Sequence, residues 1–299
     1  MKILITGASG FIGRHLCEAF SEDNHELVAL TRSKDNLASS SNLFTSIYEW
    51  DGYSLPATDQ LIRDCDVVIN LAGESIRGYW TKRKRNTLRT SRVLATRALV
   101  NAFKPLGDNG PVLISASATG YYGDRKEEKL TEQSSRGTSF LSELTSAWEE
   151  EALHFNNPSK KVALLRFGVV LGGNGGLVAG LRPIYNIGMG GTLGKGNQWW
   201  PWIHIEDVTA IIKFVIDQQL AGPVNVVSPF PERQTMFSQK FARSLARPNI
   251  FRIPATMIKV AAGGLAEEML SSRKVIPEKL TFNQYQFKYP DLNSALEAL

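Results

Sequence analysis

The stretch Ile3-Leu4-Ile5-Thr6-Gly7-Ala8-Ser9-Gly10-Phe11-Ile12-Gly13-Arg14 constrains this chain more than any other. A β-branched run, three glycines at three-residue spacing and a helical pattern follow one another there without a gap. Gly7 permits the tight turn leaving the strand, Gly10 lets a pyrophosphate approach the backbone, and Gly13 lets the new helix pack closely on the sheet. Ser9, Phe11 and Ile12 complete the loop, whose free amides and positive helix end suit phosphates. A bare glycine pattern reads equally well as a turn. The strand before it and the apolar face Phe11, Ile12, Leu16, Ala19 and Phe20 after it supply the context of a dinucleotide site.

After the first helix, His25 to Thr31 reads as a second strand, and the residues at its end choose between nicotinamide cofactors. An acidic residue there accepts the ribose hydroxyl of NAD, whereas this chain has Thr31-Arg32-Ser33-Lys34, with no carboxylate before Asp35. Thr31 and Arg32 would pair a 2′-phosphate, so the expected cofactor is NADP. Ser46 to Trp50 reads as a third strand, with Asp51 near the expected adenine.

The G-x-x-G-x-x-G spacing after Thr6 resembles that of the extended short-chain dehydrogenase/reductase superfamily, which includes nucleotide-sugar epimerases and dehydratases. Asp66-Val67-Val68-Ile69-Asn70-Leu71-Ala72-Gly73 is an apolar strand ending in small residues, similar to the N-x-A-G segment of that superfamily. The resemblance implies backbone contacts to the cofactor from Leu71, Ala72 and Gly73. Residues 84 to 103 read as a long helix with Leu88, Val93, Leu94, Ala98, Leu99 and Ala102 inward, interrupted by Ser91-Arg92. In the superfamily this helix runs beside the cofactor, which implies contacts from Arg92 and Thr87.

Pro111 to Asp124 runs from a buried strand through Ser115 and Ser117 into a glycine turn. It resembles the S-A-T-x-Y-G-D of epimerases, with one extra residue before Tyr122-Gly123-Asp124. The resemblance makes Ser117 the hydroxyl that bonds the reacting oxygen, Tyr122 a second catalytic candidate and Ser115 a cofactor neighbour. The alternative is that the serines only satisfy the end of the strand. In working members a tyrosine and a lysine four residues later share a helix face, the lysine lowering the tyrosine pKa. That helix should follow Ser117 by about two dozen residues, at Phe140 to Glu149, where neither residue occurs. Phe140 and Leu144 are the expected dyad positions. Tyr122 and Lys126 fit the spacing, but Gly123-Asp124 between them marks a turn.

Val162 to Gly172 is another strand, with Val170 expected against the nicotinamide. Residues 188 to 202 hold too many glycines for one regular element and read as a mobile loop over the cleft. Trp199, Trp200, Trp202, Lys195 and Gln198 are available there to a substrate or to packing. Ile203-His204-Ile205-Glu206-Asp207 leads into a helix, with His204 structural and Asp207 a cap. The last fifty residues carry no catalytic pattern and resemble the extra C-terminal module of an atypical epimerase subfamily. The resemblance covers the whole chain.

The chain of 299 residues is 43% hydrophobic and 21% charged, ordinary for a globular protein. No apolar run spans a bilayer and no signal segment follows Met1, so the cytoplasm is the expected location. Cys17, Cys65 and the scattered histidines lack ligand spacing, and no metal site is expected. The net charge of +5 suits an anionic ligand. Lys82-Arg83-Lys84-Arg85 lacks a groove-reading or stacking context, which argues against nucleic acid. Monomer and homodimer both remain open.

The expected fold is α/β: a doubly wound parallel (Rossmann) sheet over residues 1–165, to which 203–228 can return. A smaller C-terminal α/β substrate part spans 166–299, with its module from about residue 247. The expected function is an NADP-dependent oxidoreductase or epimerase-like enzyme on a small hydroxyl- or carbonyl-bearing substrate. Its rival is an NADP(H)-binding sensor or scaffold that lost turnover.

Overall fold

The computed structural model describes residues 1–53, 55, 64–155, 162–173 and 175–299. Seven parallel strands form the central sheet: β1 (Lys2–Thr6), β2 (Glu26–Thr31), β3 (Ser46–Glu49), β4 (Val67–Asn70), β5 (Val112–Ala118), β6 (Val162–Phe167) and β7 (Gly222–Val226). Their order is β7-β6-β5-β4-β1-β2-β3. The chain starts in the middle, runs out to β3, returns past β1 to β4 and then runs out to β7. The strand order therefore reverses between β1 and β4, where a crevice opens at the carboxyl ends of an α/β sheet. This is the doubly wound Rossmann-like fold read from the strand-helix alternation.

Strand alternation divides the core. Ile3 and Ile5 face the layer of α1 (Phe11–Glu22), together with a later helix that also covers this side of the sheet. Leu4, Val28 and Val68 face the opposite layer. Both faces are apolar because helices cover both, as parallel sheets require. On the second face the predicted long helix has three parts: α2 (Lys82–Arg89), a π turn over Thr90–Leu94, and α3 (Ala95–Phe103). Helix α4 (Phe140–Leu153) packs beside α3. The later helix on the first face is α5 (Ile205–Asp217).

Beyond β6 the chain builds a second core around Trp200, Trp202, Phe237, Phe241, Ile258 and Leu292. The glycine-rich loop predicted to be mobile is instead tied into this core. Gly191–Leu193 pairs with Phe251–Ile253, Trp199–Trp200 pairs with Glu232–Arg233, and Gln198 donates to the carbonyls of Leu193 and Met269. The tryptophans are packing residues: Trp200 donates to Met269 O, and Trp202 is fully buried with its indole on Phe230 O. Trp199 stacks with the cations of Arg233 and Lys274. Cys17 and Cys65 are both buried. Among the described residues no helix is long and apolar enough to cross a membrane.

Candidate functional site

The crevice between the ends of β1, β2 and β4 holds a cavity of about 340 Å³. Gly7, Ser9 and Gly10 form one wall, Leu71, Ala72 and Gly73 another, and Thr31 and Arg32 stand at the end of β2. Gly7 has φ +70°, and a Cβ there would stand 2.7 Å from Leu71 O, so only glycine lets the two walls meet. Gly13 touches the turn from behind: its Cβ would lie 2.2 Å from Gly7 O. Gly10 is different. It is exposed, extended at φ −74°, and is the N-terminal residue before α1, with no side chain capping the helix. Gly10 lines the cavity, so the positive end of α1 begins at its wall.

A buried polar ladder holds the walls. Thr6 donates to Asn70 Oδ1 at 2.8 Å and accepts from Ala72 N at 3.1 Å, while Asn70 Nδ2 donates to Thr96 at 2.8 Å and to Ser115 at 3.4 Å. Trp148 donates to the same Thr96. Ser115 is thus fully buried beneath the cavity as a support for Asn70.

Arg92 sits behind the wall too. Its guanidinium donates to Glu74 O at 2.9 Å and to Leu88 O at 3.3 Å and packs over Trp148, and a Cβ on Gly73 would meet it at 3.2 Å. Burial pulls its pKa down to about 10, partly opposed by Glu74, so the group stays charged at neutral pH. The extra residue of the π turn is what lets Ser91 and Arg92 both reach Glu74, since Glu74 N donates to Ser91 Oγ at 3.1 Å.

Of the residues singled out in the sequence, Gly7, Ser9, Gly10, Thr31, Arg32, Leu71, Ala72, Gly73 and Thr87 line the cavity together. Gly13, Ser115 and Arg92 stand behind it. Phe11 turns toward the segment after β6, and a Cβ on Gly175 would lie 2.1 Å from its ring. Ile12 is half-buried on α1, packed against the core. Val170 pairs with Ile203 in a separate two-stranded ladder. Sequence reasoning missed Glu74, Thr90, Ser91 and Ala95 in the lining. The helical spacing from Thr87 to Ser91 and Ala95 was the available signal.

The ends of β5 and β6 hold a buried charged cluster. Ser117 and Arg166 are register partners on these strands. Ser117 Oγ donates to Glu149 Oε1 from α4, and Arg166 clamps the same carboxylate through two bonds of 2.8 Å. The third guanidinium nitrogen donates to Tyr122 Oη at 2.9 Å, and Tyr122 donates to Asn225 Oδ1 at 2.7 Å. Arg166 also stacks on the ring of Tyr121, 3.6 Å from its centre. Burial pushes the Tyr122 phenol up to about 12, against the pull of Arg166.

Farther along, Asn225 N and Lys279 N both donate to Glu132 Oε1, and burial raises the Glu132 carboxyl above its ordinary range. Tyr122 and Lys126 do not converge: Tyr122 lies in a 3-10 turn and is fully buried, while Lys126 is an exposed residue at φ +53°. Phe140 and Leu144 pack with Trp80, Leu88 and Val93 toward α2. His204 caps α5 by accepting from Glu206 N at 3.3 Å. Asp207 is no cap: its carboxylate accepts from Lys288 N at 2.8 Å and Tyr289 N at 2.9 Å, fastening the C-terminal residues.

A family model described as the NAD dependent epimerase/dehydratase family matches residues 3–228, and a domain of unknown function matches 253–299. An epimerase family protein of Staphylococcus saprophyticus is 38% identical over 298 residues, covering 99% of this chain and 98% of that protein. A crystal structure of a human epimerase family protein with NADPH superposes with a TM-score of 0.85 at 28% identity, covering 99% of this chain and 98% of the human one. A nucleoside-diphosphate sugar epimerase from Corynebacterium glutamicum superposes at 0.79 with 30% identity, over all of this chain and 58% of its own. On fold, glycine loop and whole-length likeness together, this chain belongs to the NAD-dependent epimerase/dehydratase family, in the form that carries the additional C-terminal domain.

Proposed function

We propose that the chain binds NADP(H) in the crevice and acts as an NADP-dependent oxidoreductase or epimerase-like enzyme on a small hydroxyl- or carbonyl-bearing molecule. The observation that carries the cofactor choice is Arg32, which lines the cavity at the end of β2 with its side chain 81% exposed, in a segment free of carboxylates from Thr31 to Lys34. A 2′-phosphate fits that end and a bare ribose hydroxyl gains little from it. Gly7, Ser9, Gly10 and the start of α1 would hold the pyrophosphate, and Leu71 to Gly73 would lie under the nicotinamide ribose. The human relative that carries NADPH supports the same assignment.

The nicotinamide supplies a hydride donor or acceptor when bound. The chain must then move the proton, and α4 carries neither tyrosine nor lysine. Ser117 reaches a substrate only by leaving Glu149. Thr119, the first residue of the turn that follows β5, is 3% exposed and its hydroxyl has no hydrogen-bond partner among the described residues. In this reading Thr119 bonds the reacting oxygen, and Ser117 and Tyr122 hold the frame behind it.

A second reading, an NADP(H)-binding sensor, is favoured by the same engagement of Ser117 and Tyr122. Stopped-flow loss of NADPH absorbance over a panel of aldehydes and ketones separates the two. Slow turnover that falls about a hundredfold in Thr119→Val and survives Ser117→Ala is expected of the enzyme. Absence of turnover throughout, with NADPH still bound, assigns the sensor.

A further inference from the structure

Asp51 and Glu74 are the acidic side chains among the described residues lining the crevice, and Glu74 stands on the wall that faces Arg32. Its main chain is gripped at both ends by the π turn, through Ser91 at its amide and Arg92 at its carbonyl. Its carboxylate is thereby delivered to one place. There one oxygen meets Lys84 Nζ at 3.1 Å and the other lies 3.7 Å from the Arg32 guanidinium. The Arg32 contact joins the end of β2 to the segment after β4 and so spans the mouth of the crevice.

The geometry points to Glu74 as a counter-ion latch that sets selectivity at this mouth, an inference that rests on the nucleotide reading above. With the crevice empty, Glu74 pairs with both cations and offsets one of their two charges. A 2′-phosphate must take Arg32 from it while lying well within a Debye length of its negative charge. A nucleotide without that phosphate meets neither cost. Glu74 therefore opposes the phosphate that Arg32 attracts, and the balance of the two side chains, rather than Arg32 alone, fixes how strongly a phosphorylated ribose is preferred.

Glu74→Gln keeps the shape and removes the charge, and Glu74→Ala is the second variant. Both are first checked for native circular dichroism. Calorimetric titration with adenosine 2′,5′-bisphosphate and with ADP then reads the effect. Loss of one repelling charge near the surface is expected to tighten the bisphosphate by about fivefold or more and to leave ADP within about twofold. The gain should shrink at high salt, and most of it should vanish when Arg32→Ala is added. Unchanged or weaker bisphosphate binding, or equal tightening of ADP, overturns the latch and leaves the nucleotide site intact. A parent protein that binds neither probe overturns the nucleotide reading and the latch together.

Discussion

The crevice at the ends of β1, β2 and β4 and the cluster at the ends of β5 and β6 draw on the same kinds of group, hydroxyls, cations and carboxylates, yet they are completed in different ways. In the crevice Gly10 is exposed and lines the cavity at the start of α1, and Arg32 extends into solvent with a loose ion pair to Glu74. In the cluster Ser117, Glu149, Arg166, Tyr122 and Asn225 are buried and satisfy one another. A site prepared for a ligand leaves donors open, whereas a frame consumes them. The contrast separates a crevice that leaves polar groups open from a cluster that pairs its own.

Breaking the frame should have the largest effect. Glu149→Ala strands the Arg166 guanidinium at a buried position, and the expected loss is roughly 3–5 kcal/mol of unfolding free energy by urea titration. A loss under about 1 kcal/mol would show that the cluster is hydrated and closer in kind to the crevice. The opposite signature is expected at Gly10. Gly10→Val would stand in the proposed place of the pyrophosphate, so NADPH binding should weaken at least about a hundredfold, near 2.7 kcal/mol. The variant's stability should fall less than that of Gly13→Val, because its Cβ would meet Gly7 O at 3.1 Å rather than 2.2 Å. Gly13→Val, with a Cβ 2.2 Å from Gly7 O, should instead unfold the first βα unit. If Gly10→Val binds normally, the glycine turn is only structural.

A smaller effect, in pH, sharpens the comparison. Burial lowers the His204 pKa, against the opposing pull of Glu206 and Asp207, and its Nδ1 must be unprotonated to cap α5. The unfolded chain therefore takes up a proton before the folded one does. This contribution to stability is complete above the ordinary histidine pKa, near 6.5, and is lost as pH falls from there toward the lowered folded value. His204→Asn, which retains a cap, should flatten that slope in thermal melts between these pH values. The same slope in the variant would place the titration elsewhere.

Much of the fold was legible because both periodicities are clean. The β-branched runs at Ile3, Val67 and Val112, the helical face after Gly10 and the small residues after Asn70 led to the sheet and to the crevice wall. The residues that stand behind the wall were harder, because the family resemblance brings Arg92 and Ser115 near a cofactor without saying on which side of the backbone they lie. The π turn decides this for Arg92, and strand alternation with Asn70 decides it for Ser115. The partners of Ser117 were not legible at all. The β5–β6 register brings Arg166 beside Ser117, and the packing of α4 on β5 brings Glu149. The glycine-rich loop misled for a related reason: glycine count predicts irregular backbone, but the pairing of Gly191–Leu193 with Phe251–Ile253 is a long-range contact.

The proposed site is tested most directly by which nicotinamide nucleotide the crevice binds and by what Arg32 contributes. Calorimetric titration of the parent protein and of Arg32→Ala with NADPH and with NADH measures both. One site per chain is expected, with NADPH bound at least about tenfold tighter than NADH, a difference near 1.4 kcal/mol, and loss of that preference in Arg32→Ala. Equal affinities in the parent, or a preference that survives removal of the guanidinium, would contradict it.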